Sequence, residues 1–339
     1  MSSPKFSNTS QSFHTELKKR ISEYFKQAGK ASTGSFALYF KAIILIISFL
    51  FVYTHLVFYT PTTWLAIVEC VILGGLTAAI GFNIMHDGLH GSFSQKKWVN
   101  EMAGLTLNFL GANNFMWRNK HNIIHHTYTN IEGIDDDIEA KPLLRLCETQ
   151  KHYKIHRFQH WYFWAAYSLL YIWWVLFTDY KKYFLGRIGP TPIKKMSFAD
   201  HVSFWGFKLL HAFIFFAIPI YTLGFSTWLI GFLIYGMFTG FVLSIVFQLA
   251  HTVEETNFPQ ASVETGKMED EWAVHQLKTT ANFATNNRVI SWLVGGLNFQ
   301  VEHHLFPRIS HVHYPEISKI IKNACQEFGV PYIEYPKMR

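Results

Sequence analysis

Histidines at short, repeated spacings stand out in this chain. They are His86 and His90 in His-Asp-Gly-Leu-His, His121, His125 and His126 in His-Asn-Ile-Ile-His-His, and His303 and His304 in Gln-Val-Glu-His-His. Neutral imidazole is a good ligand for borderline metals such as iron, copper and zinc, so grouped histidines point to a polynuclear metal centre. Residues four apart on a helix share a face, which places His86 with His90, and His121 with His125, to grip one metal each. Adjacent helical residues point about 100° apart, so His125 with His126, and His303 with His304, can each reach two metals at once. A dinuclear site satisfies this pattern better than a mononuclear one.

Each cluster adjoins a long apolar stretch, and composition says where such stretches belong. Of the 339 residues 50% are hydrophobic, 17% aromatic and only 16% charged, which is low for a soluble protein. Apolar runs at about 42–59 and 63–85 are separated by Thr60, Pro61 and Thr62, and runs at about 204–223 and 227–249 by Gly224, Phe225 and Ser226. Each is near the roughly 20 residues needed to cross a bilayer, so they read as four transmembrane helices in two hairpins. None of the 30 Lys and Arg lies in either hairpin tip. By the positive-inside rule both termini and the long central segment are then cytoplasmic.

A fifth apolar run, Trp161 to Thr178, would put the third histidine cluster across the membrane from the first two if it crossed. Ligands cannot share a metal through a bilayer. Lys151, Lys154 and Arg157 precede this run and Lys181, Lys182 and Arg187 follow it, so it is predicted to dip into or lie along the cytoplasmic leaflet, as is the run Ala103 to Ala112. The leader, residues 1–39, carries no cleavable signal sequence. Within it Phe13, Leu17, Ile21, Tyr24, Phe25 and Ala28 recur at helical spacing opposite Lys18, Lys19 and Lys26, the pattern of an amphipathic helix on the membrane surface. The main body spans 40–325 and a tail 326–339 follows. Pro315 to Gly329 has the proline start and glycine end of a capping helix. The fold class is therefore all-α and integral to the membrane, with a cytoplasmic helical cap carrying the metal site.

His251 follows the fourth span at the level where His86 follows the second, which makes it the candidate eighth imidazole. A lone histidine beside a membrane is ordinarily a satisfied interfacial side chain, but three clusters on one predicted side are not explained that way. His55 and His211 sit within spans, and His14, His152, His156, His160, His201, His311 and His313 are read as structural, with His275 and His313 kept as candidates to line the site. Glu69 is an intramembrane carboxylate, costly unless paired or functional. Asp135, Asp136, Asp137 and Glu139 are either a solvated loop or carboxylates holding the ligand histidines by their second nitrogens. Asp87 and Glu302, inside clusters, are the better candidates for that role. Cys70, Cys147 and Cys325 lie far apart and suggest neither a disulfide framework nor a thiolate metal site.

The three motifs, with the third read as Phe-Gln-Val-Glu-His-His-Leu-Phe-Pro, resemble the histidine boxes of the membrane fatty acid desaturases over roughly residues 40–325. Glutamine at 300 resembles the front-end group that includes delta-5 and delta-6 acyl desaturases. The resemblance implies two non-haem iron ions held by His86, His90, His121, His125, His126, His303 and His304, with His251 matching the additional ligand after the last span. It implies O2 as co-substrate and insertion of a cis double bond into a fatty acyl lipid or acyl-CoA, on the carboxyl side of an existing one. Gln300 is assigned to tuning the centre, being a far poorer iron ligand than imidazole. The chain has no His-Pro-Gly-Gly haem motif of a fused cytochrome b5, so electrons are expected from a separate ferredoxin or cytochrome b5, docked on a basic surface.

The competing readings are a di-iron fatty acyl or sphingolipid hydroxylase, a histidine-rich membrane metal transporter and a haem electron carrier. Transport would place ligands at the membrane midplane, whereas these clusters lie past the span ends. Haem would need paired histidines in facing spans, and His55 and His211 lie at unmatched depths. No nucleic-acid partner is expected. The membrane is the inner membrane in a bacterium and the endoplasmic reticulum in a eukaryote.

Overall fold

The computed structural model describes residues 4–7 and 12–337. Among them, four helices are long and apolar enough to cross a membrane: Phe36–Tyr59, Thr63–His90, Phe198–Leu223 and Phe225–His251. The first hairpin turns at Thr60, with φ 46°, and Pro61; the second turns at Gly224, whose φ of 81° suits a residue without a side chain. All four helices overrun the apolar stretches at the ends away from these turns. They begin at Phe36 and Phe198 rather than 42 and 204, and end at His90 and His251 rather than 85 and 249. A hydropathy run marks only the most apolar length of a helix: the second and fourth spans continue into the cap, where His86, His90 and His251 are buried, whereas the first and third begin at exposed Phe36 and Phe198. The second and fourth spans are the most enclosed, 50% and 44% buried against 33% and 22% for the first and third. The helices carrying His86, His90 and His251 are thus the centre of the bundle.

Packing against that centre is close. A Cβ on Gly88 would lie 2.7 Å from Ala103 Cβ and 2.8 Å from Gly104 N, so only glycine lets the helix Lys97–Phe109 rest on the end of the second span. This helix is the predicted run 103–112, starting earlier. Its last carbonyl and the two that follow it are satisfied by three side chains from elsewhere. His211 Nδ1 donates to Phe109 O at 3.1 Å, Tyr171 Oη to Leu110 O at 2.8 Å, and Lys208 Nζ to Gly111 O at 2.7 Å. The run 161–178 is not among the four spans. It breaks into Gln159–Ser168 and Leu170–Trp173, continues as a π-helix, Trp174–Thr178, and lies against the fourth span, where Gly240 faces the Ser168 carbonyl with no room for a Cβ.

The cap is a second apolar cluster, and here one expectation is corrected. The leader helix, Phe13–Ala28, does not offer its apolar face to lipid: Phe13, Leu17 and Ile21 are buried with Leu277, Ile317 and Ile321. Two amphipathic helices, the leader and Tyr314–Phe328, cover each other's apolar stripes, and Arg20 reaches Glu327 across the pair. The tail is tied in as well, through Ile333–Tyr335 paired parallel with Ala281–Phe283.

Candidate metal centre

Eight histidines from four parts of the chain meet where the spans enter the cap, all buried. His86 and His90 come from the end of the second span, His251 from the end of the fourth, and His303 and His304 from the short helix Gln300–Leu305. His121 and His125 lie on Arg118–His125, which is wound as a π-helix, and His126 follows it. With i→i+5 bonding, four residues no longer complete a turn. His121 and His125 fall in different all-histidine sets, although the two also group with Asp137. The nitrogens of His86, His90, His121 and His303 lie within 4.8 Å of one another, and those of His125, His251 and His304 form a second such group. His126 groups with both His303 and His304, between the two sets. The adjacent pair His303 and His304 divides between the sets, as their 100° divergence implies.

The ring nitrogens sort by what they touch. His125 Nδ1 lies 3.0 Å from Asp135 Oδ2 and 3.2 Å from Asp137 Oδ2, His251 Nδ1 donates to Thr279 O at 3.2 Å, His303 Nδ1 is 3.1 Å from Tyr314 Oη, and His304 Nδ1 is 2.8 Å from Gln276 Oε1. By contrast Nε2 of His86, His90, His251, His303 and His304 is buried with no hydrogen-bond partner among the described residues. An unpaired buried nitrogen is costly, and five converging on one place fit a bound cation. Burial first, and then the neighbouring imidazoles, hold His121, His126, His303 and His304 well below the ordinary histidine pKa, in the neutral form a metal requires. His125 differs: burial alone would lower it, but the Asp135 and Asp137 carboxylates outweigh that and raise it.

Comparison with known proteins agrees with this geometry. A sequence profile of the family described as fatty acid desaturase matches residues 62–336. The sn-1 linoleoyl-lipid 6-desaturase of Synechocystis is 38% identical over 96% of this chain and 91% of its own length. The enzyme of the same name from Arthrospira platensis is 37% identical over 94% and 87%. The acyl-lipid (8-3)-desaturase of Physcomitrium patens is 34% identical over 96% of this chain and 68% of its own. The chain belongs to the fatty acid desaturase family. It is a multi-pass membrane oxidoreductase acting on fatty acyl lipid, and neither the hydroxylase nor the transporter reading is favoured.

Within this desaturase the other sequence candidates fall into place. Asp87 lies 4.0 Å from His86 Nδ1 and is held by Ser310 Oγ at 2.8 Å and His311 Nδ1 at 3.0 Å, tying the first histidine motif to the cap. Glu302 touches none of the eight histidines. Its carboxylate accepts from Asn282 Nδ2 and Tyr332 Oη, each at 2.8 Å, because on so short a helix it points away from the side His303 occupies. Burial pushes it up to about 7, and it secures the strand pair rather than an imidazole. Gln300 is buried at the start of its helix. Asp136 serves Lys182 at 2.8 Å, Asp137 also serves Lys120, and Glu139 pairs with Lys141, so of the acidic run Asp135 and Asp137 reach a histidine. Glu69 pairs with His55 at 2.8 Å near the first hairpin turn, far along the span from the centre, and His211 serves Phe109 O. His275 Nε2 bonds Thr129 O and His313 Nε2 bonds Thr33 O, so neither faces the site. Sequence reasoning missed Gln276, Thr279 and Tyr314, which carry no local signature, and Thr129, whose hydroxyl donates to Gln276 Oε1 at 2.9 Å.

Proposed function

We propose that this desaturase introduces a cis double bond at the 6-position of a lipid-bound linoleoyl chain, on the carboxyl side of the existing double bonds, at a centre of two iron ions held by the eight histidines. Two relatives bearing that activity in their names, similar over most of both chains, support the position. The single observation that carries the metal assignment is the set of buried, unpartnered Nε2 nitrogens on His86, His90, His251, His303 and His304. His86, His90, His121 and His303 would hold one ion, His125, His251 and His304 the other, with His126 between them.

Iron, when bound, supplies with O2 the oxidising power to take hydrogen from unactivated methylenes. The chain's own part is position and dryness. Asp135, Thr279, Tyr314 and Gln276 fix the Nδ1 side of four rings, so that each Nε2 lone pair faces inward. In the overall reaction the acyl chain gives up two hydrogens, a carrier outside these 339 residues gives two electrons, and with two protons O2 becomes two waters. The carrier is a ferredoxin or cytochrome b5, and the centre faces the cytoplasm, a reading supported by the basic residues that flank the spans away from both hairpin turns.

Expression in a host supplied with linoleate, followed by mass spectrometry of derivatised lipids, tests the reading. A new double bond at position 6 is expected, and His125→Ala or His304→Ala should abolish it while membrane insertion is kept. A hydroxylated product, or a new bond on the methyl side, contradicts it.

A further inference from the structure

Electrons must reach a centre whose histidines are all buried, and Trp272 offers a short bonded path from the surface. It opens the helix Trp272–Thr279 in the cap and is half-buried. Its indole Nε1 donates to the backbone carbonyl of His126 at 3.0 Å, and His126 lies between the two histidine sets. From the indole an electron crosses one hydrogen bond and the covalent skeleton of one residue to arrive at a ligand imidazole. Tunnelling decays more steeply through empty space than through bonds, so this path is favoured over a jump from elsewhere on the cap. Trp272 also meets the His14 ring at 4.8 Å, and His14 meets Phe306 at 6.3 Å, a patch of three aromatic rings each partly open to solvent.

Once the ion pairs are set aside, charge around the patch is positive by a small margin. The leader helix turns its apolar residues inward and leaves Lys18, Lys19 and Lys26 exposed, and among the described residues none of the three forms an ion pair. Arg308, three residues past Leu305, is exposed as well, whereas Arg20 is taken up by Glu16 and Glu327. The acidic groups nearby are Asp270, taken up by Lys278; Glu16, taken up by Arg20; Glu23 and Glu269, both exposed; and Glu271, whose carboxylate accepts from the His14 backbone N at 3.2 Å. Such a balance steers a negatively charged partner onto the face and fixes its orientation.

We propose that this face, centred on Trp272 and edged by Lys18, Lys19 and Arg308, docks an acidic one-electron carrier protein, and that Trp272 conducts each electron through His126 to the centre. The inference rests on the metal reading above. In each transfer the carrier loses one electron and the centre gains one, with no covalent change at Trp272; two transfers serve each double bond.

The test uses iron-loaded wild type, Trp272→Phe, Trp272→Leu and the double variant Lys18→Glu, Lys19→Glu. Each is reduced in stopped flow by dithionite and, separately, by a reduced acidic [2Fe–2S] ferredoxin. Iron content and dithionite reduction should be unchanged throughout. Reduction by ferredoxin should fall several-fold in Trp272→Leu and less in Trp272→Phe, which keeps a ring but loses the N–H. Charge reversal should raise the ferredoxin concentration for half-maximal rate by about ten-fold at low ionic strength, a difference that closes as salt is added. Oxidised ferredoxin binding to the metal-free chain should weaken in the same double variant, a readout that needs no iron. Reduction by ferredoxin at the wild-type rate in iron-loaded Trp272→Leu overturns the route, and unchanged binding in the charge reversal overturns the docking face. A wild-type chain that takes up no redox metal overturns the metal reading, and the route with it.

Discussion

An imidazole serves a metal only when its lone pair is aimed, and the aim is set by whatever its other nitrogen touches. For His304 that partner is Gln276 Oε1, itself steadied by Thr129. Gln276→Leu should therefore lower metal affinity or turnover about 10–100-fold, while Gln276→Glu, which still accepts a hydrogen bond, should retain most of both; iron content and product formation measure the split. Gln300 is assigned differently: Gln300→Val should keep most iron and lose most turnover, and Gln300→His should keep its iron. Loss of iron from Gln300→Val would make the glutamine a ligand instead. The histidines that meet were legible in the sequence because His86, His90 and the two adjacent pairs cluster within a few positions. Their supports were not, because Gln276, Thr279 and Tyr314 are brought in from separate elements with no spacing that relates them to a histidine. Asp135 was half legible, since an acidic run beside a cluster suggested the role without saying which carboxylate turns inward. Glu302 was misassigned because adjacency in sequence does not set the direction of a side chain on a helix.

Helices carry these residues, and their lengths and windings decide which histidines meet. The four spans were legible as apolar runs, but their full lengths were not: the second and fourth continue through His86, His90 and His251, which the cap buries, while the first and third start earlier, at exposed Phe36 and Phe198. The π-winding of Arg118–His125 was equally invisible; His121 and His125 fall in different all-histidine sets, while both also group with Asp137. The leader helix shows a further limit: an amphipathic stripe reveals that a face is covered, not by what. Because Leu17 is wholly buried in the cap, Leu17→Ala should cost about 2–5 kcal/mol of local packing and expose the leader to limited proteolysis while the spans stay protected. A helix resting on lipid would show no such change in protease sensitivity.

At the scale of the whole molecule, four crossings put the central segment and the cap on one side, as the shared centre demands. Cys70, Cys147 and Cys325 are buried, so single cysteines introduced at Gly189 and at Lys319, both exposed, give clean reporters. Both should be labelled from the cytoplasmic face alone in sealed vesicles; labelling from opposite faces would require a fifth crossing at 161–178 and would break the centre apart. The account as a whole depends on that centre holding two ions rather than one. Metal analysis of the purified, fully loaded chain tests this most directly: about two iron ions per chain are expected from two sets of imidazole ligands. A stoichiometry near one, or a single zinc in place of iron, would contradict it.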